Sequence, residues 1–272
     1  MKEWFFWVAI GTYSVAAAGT IYNHVRGIRP SALNWWLVLV GWLVQWFPIV
    51  RSILARHGVL AINLSASLEL STLAMGGIYL LWWSIRRQEA RAVGVLLLPL
   101  MVFTLTGSCL LPVAQSDGVV MTDPLLLSHL VLSLLAYGLF SIAALLALMD
   151  AFQEHALKTK HLGELFALIP PLDALEETLF LMVAMGFALL TASMLTGGWY
   201  AYGERGAALV FNHKQVFTWA TWLVFGTLLV GRHFWGWRGR RAVRFTLWGY
   251  LFLALALFGV KFVTEFVLGR SL

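Results

Sequence analysis

Histidines offer this chain its clearest route to chemistry. There are seven: His24, His57, His129, His155, His161, His213 and His233. A neutral imidazole nitrogen ligates metal ions, haem iron included. His129 and His213 have the most suggestive surroundings. Stepping from His129 by four, seven and eleven positions gives Ser133, Ala136 and Phe140, a helix face that is small near its start. A flat ligand or a neighbouring helix could approach there. His213 sits in Asn212-His213-Lys214-Gln215, just before Trp219 and Trp222. Ahead of it runs Thr196-Gly197-Gly198-Trp199-Tyr200-Ala201-Tyr202-Gly203, which reads as a loop. Such a loop is either an aromatic belt at the membrane interface or a shelf for a ligand.

Other chemistry is missing. There is no glycine-rich phosphate loop, no His-Glu-x-x-His motif and no Gly-x-Ser-x-Gly elbow. The one cysteine, Cys109, cannot form an internal disulfide or a two-thiol redox pair. His155 and His161 are six apart, which is neither metal spacing nor one helical face. His24 and His233 fall among basic flanks, and His57 lies between Arg56 and Gly58. A histidine at a helix end is also an ordinary interfacial residue.

The elements that must hold these residues are membrane helices. The chain has 272 residues, of which 60% are hydrophobic and 12% charged. A soluble domain is about 45–50% apolar and about 25% charged. So few charges cannot cover a water-facing surface, which excludes a soluble enzyme, a disordered chain and a fibrous one. Apolar runs at roughly 4–22, 34–50, 64–84, 92–113, 125–151, 174–196, 213–231 and 245–268 predict about eight transmembrane helices. The expected fold is an all-α polytopic bundle, with residues 1–272 forming a single transmembrane domain.

Charge sets the orientation. The net charge of +6 is gathered in short clusters between the apolar runs. Arg26 and Arg29, then Arg86, Arg87 and Arg91, then Lys158 and Lys160, then Arg232, Arg238, Arg240, Arg241 and Arg244 fall in the odd-numbered connections. Even-numbered connections are poorer in Lys and Arg, apart from Arg51 and Arg56. The positive-inside rule places the odd connections in the cytoplasm and both termini outside. His57, His129 and His213 then share the outer side. The first run resembles a signal peptide, with Ala16-Ala17-Ala18 before Gly19, but its charge order suits a retained helix. Inside the helices, Lys261 and Glu265 have the i, i+4 spacing of an ion pair. The arginine-rich seventh connection, beside Trp235 and Trp237, is an expected docking surface for anionic lipid or a membrane-protein partner.

Three stretches resemble the cytochrome c assembly membrane family, the CcsA/CcmC/HemX-like group, and within it the YpjD-type inner-membrane branch. The first is Ser128-His129-Leu130 through Tyr137. The second is Pro170-Pro171-Leu172-Asp173-Ala174-Leu175-Glu176, continuing to Gly186-Phe187-Ala188-Leu189-Leu190-Thr191. The third runs from Lys214 to Phe225, then Gly236-Trp237-Arg238-Gly239-Arg240-Arg241 and Leu257-Phe258-Gly259-Val260-Lys261. They define a family-like helical core over residues 125–268.

The resemblance implies a haem-binding or haem-handling protein of a bacterial inner membrane, multi-pass, related to cytochrome c biogenesis and acting on haem rather than nucleic acid. No catalytic residue is expected. In the family's haem-handling members an external histidine opens the helix matched by His129. Their tryptophan-rich motif is degenerate here, with Trp199 kept and Asn212-His213-Lys214-Gln215 in place of Asp-Pro-Lys-Glu. Leu268 stands at about the place of their last external histidine. The expected haem site therefore has His129 and His213 as iron ligands. Trp199, Tyr200 and Trp219 would wall the ring, and Lys214 or Arg205 would neutralise propionates. The alternative is an accessory or regulatory membrane subunit without a cofactor, supporting a transporter or a haem-biosynthesis enzyme.

Overall fold

The computed structural model describes residues 4–28, 31–55, 59–60, 63–111, 119–120, 123–159, 171–206, 213–259 and 262. His57, His161, Lys261, Glu265 and Leu268 lie outside them. The described chain forms eight helices: α1 (Trp4–Val25), α2 (Ala32–Ala55), α3 (Leu64–Ile85), α4 (Arg87–Leu110), α5 (Pro124–Thr159), α6 (Leu172–Arg205), α7 (His213–Trp235) and α8 (Arg240–Ala254), the last continuing as a π-helical turn over Leu255–Gly259. Seven are long and apolar enough to cross a bilayer. The eighth, α7, is long enough, but Trp219, Trp222 and its threonines at 218, 221 and 227 dilute its apolar character. The all-helical bundle expected from the apolar runs is what forms. One addition is a two-rung antiparallel ladder joining β1 (Val59–Leu60) to β2 (Val119–Val120).

Local chemistry marks the helix starts and stops. Asn63 caps α3 by accepting a hydrogen bond from the Ala66 amide at 2.8 Å. Asp123 does the same for α5, taking the Leu125 and Leu126 amides, with Pro124 at the first helical position. Helix α6 stops at Gly206, whose φ of +67° is the left-handed cap that glycine adopts freely. Pro48 and Pro99 lie inside α2 and α4, as neighbouring helices in a membrane allow.

Contacts between connections show that the two ends of the bundle are distinct. At one end Arg91 donates to the carbonyls of Asn23 and His24, joining the start of α4 to the end of α1. At that end also, the Gly239 amide donates to Glu176 Oε1 at 2.6 Å, and Arg240 pairs with Glu154 at 3.8 Å. At the opposite end the β ladder ties the second connection to the fourth. His129 there bonds Ser193, joining the start of α5 to the last third of α6. Odd and even connections thus separate, and the arginine-rich blocks gather at the odd end.

Lipid provides no hydrophobic drive for one helix to seek another, so close packing of small residues does much of the work. Helices α5 and α6 form the most extensive pair. Between them Phe140 lies on Gly186, where an added Cβ would meet the ring at 3.0 Å. Phe140 stacks on Phe225 of α7, with centroids 4.0 Å apart and planes within 9°. Phe225 in turn presses on Gly249 of α8, where a Cβ would come within 2.7 Å of it. Two aromatic rings held between two glycines lock four helices. We expect Gly249→Leu to cost about 1–3 kcal/mol through overpacking, read as a lowered unfolding midpoint in detergent. Gly11→Ala, with open space around it, should leave the midpoint unchanged or slightly raised.

Candidate functional site

The end of the bundle that carries the even connections gathers the starts of α5 and α7 and the end of α6. His129 lies on the second turn of α5, half-buried. Its Nδ1 is 2.7 Å from the Ser193 carbonyl oxygen. A carbonyl can only accept, so the proton sits on Nδ1 and Nε2 keeps its lone pair. The Ser193 hydroxyl is 3.1 Å from the same Nδ1 and donates back to the His129 carbonyl at 3.4 Å. Gly197, one turn beyond Ser193, lies under the ring. A Cβ there would be 2.6 Å from Nδ1 and 2.8 Å from Cε1. Ring plane and tautomer are therefore both set by α6.

That arrangement depends on α6 being longer than its apolar run. The Thr196–Gly203 stretch, read as a loop, is helix, because α6 continues to Arg205. Glycine costs about 1 kcal/mol in a helix interior, but here its missing side chain lets α6 approach α5. Tertiary packing outweighs propensity. The helical path also sorts the aromatic residues. Tyr200 follows Ser193 by seven positions and shares its face; it is half-buried. Trp199 points to the other side and is 73% exposed. Arg205 closes the helix, and its side chain falls outside the described ones.

Helix α7 supplies the second wall. Trp222 donates from Nε1 to Thr191 Oγ1 at 3.0 Å. It stacks on Phe187 at 5.4 Å, and Trp219 meets it edge-on at 6.2 Å. Trp219 remains 42% exposed. Lys214 precedes the buried Thr221 by seven positions and so shares the face that carries Phe225 towards α5. Its charge acts on the His129 ring. His213 is rotated by one residue, onto the side of Phe217, which stacks on Phe252 of α8. It is exposed. The fold therefore brings His129, Ser193, Gly197, Tyr200 and Lys214 to one seam, with Trp222 and Trp219 beside it, and directs Trp199 elsewhere.

Ser193, Gly197, Thr191, Phe187 and Trp222 are the members that reasoning from residue types passed over. One signal was present: Ser193 and Gly197 are small residues four apart, the spacing of a close helix contact.

Solid-state NMR of histidine-labelled protein should find His129 as the Nδ1–H tautomer. Gly197→Val should erase that signature by displacing the ring, whereas Ser193→Ala, which keeps the accepting carbonyl, should preserve it.

Comparison with known proteins identifies the family. The sequence profile of the family described as "Cytochrome C assembly protein" matches residues 61–268. The match starts with the approach to α3, well before the stretches that carried the resemblance. A 28.8 kDa uncharacterised protein of Azospirillum brasilense is 38% identical over 141 residues, covering 52% of each chain. The inner membrane protein YpjD of Escherichia coli K12 is 34% identical over 181 residues, 65% of this chain and 68% of its own. The cytochrome c biogenesis protein CcsA of Nostoc punctiforme is 31% identical over 100 residues, 37% of this chain and 27% of its own. The chain thus spans only about half the length of the first of these relatives. With its seven apolar membrane-length helices and the matched profile over most of its length, this chain is a multi-pass bacterial inner-membrane protein that belongs to the cytochrome c assembly protein family.

Proposed function

We propose that the protein binds haem at the end of the bundle where α5 and α7 begin, and handles it in cytochrome c biogenesis or a related haem function. One observation carries this reading. His129 donates its Nδ1 proton to a backbone carbonyl, the outer bond that metal-ligating histidines make to fix their tautomer and orient the other nitrogen. Nε2 of His129 is the ligand in this reading. His213 is the second ligand expected from the sequence. It starts α7 on the Phe217 side, turned from the face that carries Lys214, so its part rests on the spectrum of His213→Ala and not on proximity to His129.

The residues nearby suit the group's other parts. Trp219 and Trp222 offer aromatic faces, and Tyr200 lies on the His129 side of α6. Lys214 supplies a cation for a propionate. Trp199, so exposed and so directed, contributes to the membrane interface rather than to this wall. Bound haem would bring the iron and its electron chemistry. The chain's own task would be to hold the ring and to set the His129 tautomer. Family membership and the likeness to the Nostoc cytochrome c biogenesis protein support the biogenesis setting.

In the same proposal this end faces outward and both termini lie outside, because Arg86, Arg87, Lys158 and the arginines of the α7–α8 connection collect at the opposite end. A cysteine introduced at Ser116 should be labelled from the outside in intact cells and one at Gln88 should not. The reverse pattern would invert the protein.

The decisive measurement is the absorption spectrum of detergent-purified protein. A Soret band is expected, abolished by His129→Ala. Gly197→Val, which displaces the ring and breaks its outer bond, should weaken haem affinity about 10–100-fold or more. His213→Ala should convert a six-coordinate spectrum to a five-coordinate one; an unchanged spectrum would remove His213 and leave His129. A colourless protein that takes up no added haem would favour the cofactor-free accessory subunit.

A further inference from the structure

At the end of the bundle opposite His129, a group of acidic side chains surrounds a carboxyl with no partner. Asp150, on α5, is 2% exposed. Its Oδ2 is buried and accepts no hydrogen bond, and the side chain forms no ion pair among the described residues. Three positions on, Gln153 is 5% exposed, and its Oε1 is likewise buried without a donor. The i, i+3 spacing puts both oxygens on one face of α5. Two acceptors cannot satisfy each other, and leaving both bare inside the protein is costly.

The neighbouring charges do not relieve Asp150. Glu154, one turn later, is engaged by Lys158 and Arg240. Glu176 of α6 accepts the Gly239 amide. On α4, Glu89 is bonded to Arg86 and lines a small cavity with Leu146, the residue one turn before Asp150. Helix α3 carries one charged residue, Glu69, at the other end of the bundle. Both Glu154 and Glu176 act electrostatically on Asp150 as like charges. Among the described residues Arg86, Lys158 and Arg240 each pair with another carboxylate. Arg91 and Arg232 donate to backbone carbonyls, Arg244 is exposed, and none pairs with Asp150.

A missing donor can be supplied by a metal ion or by a proton. A hard cation such as Mg2+ takes about six oxygens in near-octahedral order. Among the described residues no group of three or more histidine, cysteine, aspartate or glutamate side chains is arranged to hold a metal. A proton needs one lone pair on Asp150, and it turns that carboxyl into a donor on the face that carries the empty Gln153 Oε1. We propose that Asp150 is a proton-binding site that fills on mild acidification and exchanges its proton with the membrane face that bears Lys158 and Arg240. In loading, hydronium at that face gives its proton to Oδ2 and leaves water; unloading reverses this. Nothing in the inference depends on haem, since the two sites lie at opposite ends of α5.

The test uses the full-length protein in liposomes and dicyclohexylcarbodiimide, whose carbodiimide adds a protonated carboxylic acid in an apolar setting to give a stable acylurea. Peptide mass spectrometry should find the adduct on Asp150 in mildly acid buffer, with yield falling as the pH is raised through neutrality. Infrared spectra should show the carbonyl stretch of a protonated acid that D150N removes, and D150N should retain the native unfolding midpoint. If D150N fails to accumulate, the mapped adduct on the unaltered chain still decides the matter. An unmodified Asp150 with no acid band in mildly acid buffer would overturn the proposal. So would an acid band that disappears when magnesium chloride is added, since a divalent cation would then be the occupant.

Discussion

Close contact between α5 and α6 is the constraint on which the rest of the bundle depends. At 36 and 34 residues these helices are far longer than the roughly 20 that span a bilayer. They remain in contact from Glu176 and Asp150 at one end to Ser193 and His129 at the other. Glycine makes this possible twice, at Gly186 under Phe140 and at Gly197 under His129. Helices α1 and α2 reach this pair mainly through α3 and α4. Helices α3 and α8 pack on α5, and α7 packs on α6. With no water in the hydrocarbon to satisfy stray polar groups, the pair also determines where polar side chains can be tolerated.

The two ends of that hairpin have opposite chemical characters. At one, an imidazole keeps a lone-pair nitrogen because its other nitrogen is committed to a carbonyl, and the nearby charge comes from Lys214. At the other, carboxylates crowd together and are shared among Arg240, Lys158 and a glycine amide, leaving Asp150 over. A single pair of helices therefore presents an imidazole lone pair at one membrane face and an unpartnered carboxyl at the other. The proposed haem and proton sites draw on separate residues, so either could be disabled without touching the other.

Much of this was legible in the sequence because membrane helices announce themselves by length and apolarity, and charge clusters by their alternation. His129 stood out because it opens a helix. What composition could not convey was where α6 stops. Gly197 and Gly198 lower helix propensity, and only the contact with His129 shows why they are helical. The same contact sets the direction of Trp199: on a loop its indole could have turned inward, whereas on a helix it is held away from Gly197. His213 and Lys214 are adjacent in sequence, yet one residue of rotation gives them different neighbours, a distinction that depends on which face of α7 meets α5. The arginine block was visible as charge, but Arg240 is committed to Glu154, and Arg241 lies 5.9 Å over the Trp237 ring. That leaves Arg238 and Arg244 as the more available positions of the expected docking surface.

Gly197 and His129 have a bearing on how such proteins diverge. Since the imidazole fills the volume that a Cβ at position 197 would need, the two positions cannot drift independently. A lineage that keeps the ring in this pose is barred from any larger residue at 197. One that has lost the ring is released from that restriction, and selection against the void would favour filling it. Position 197 thus becomes a record of whether an ancestor still used its histidine, readable from the size of one side chain on a different helix.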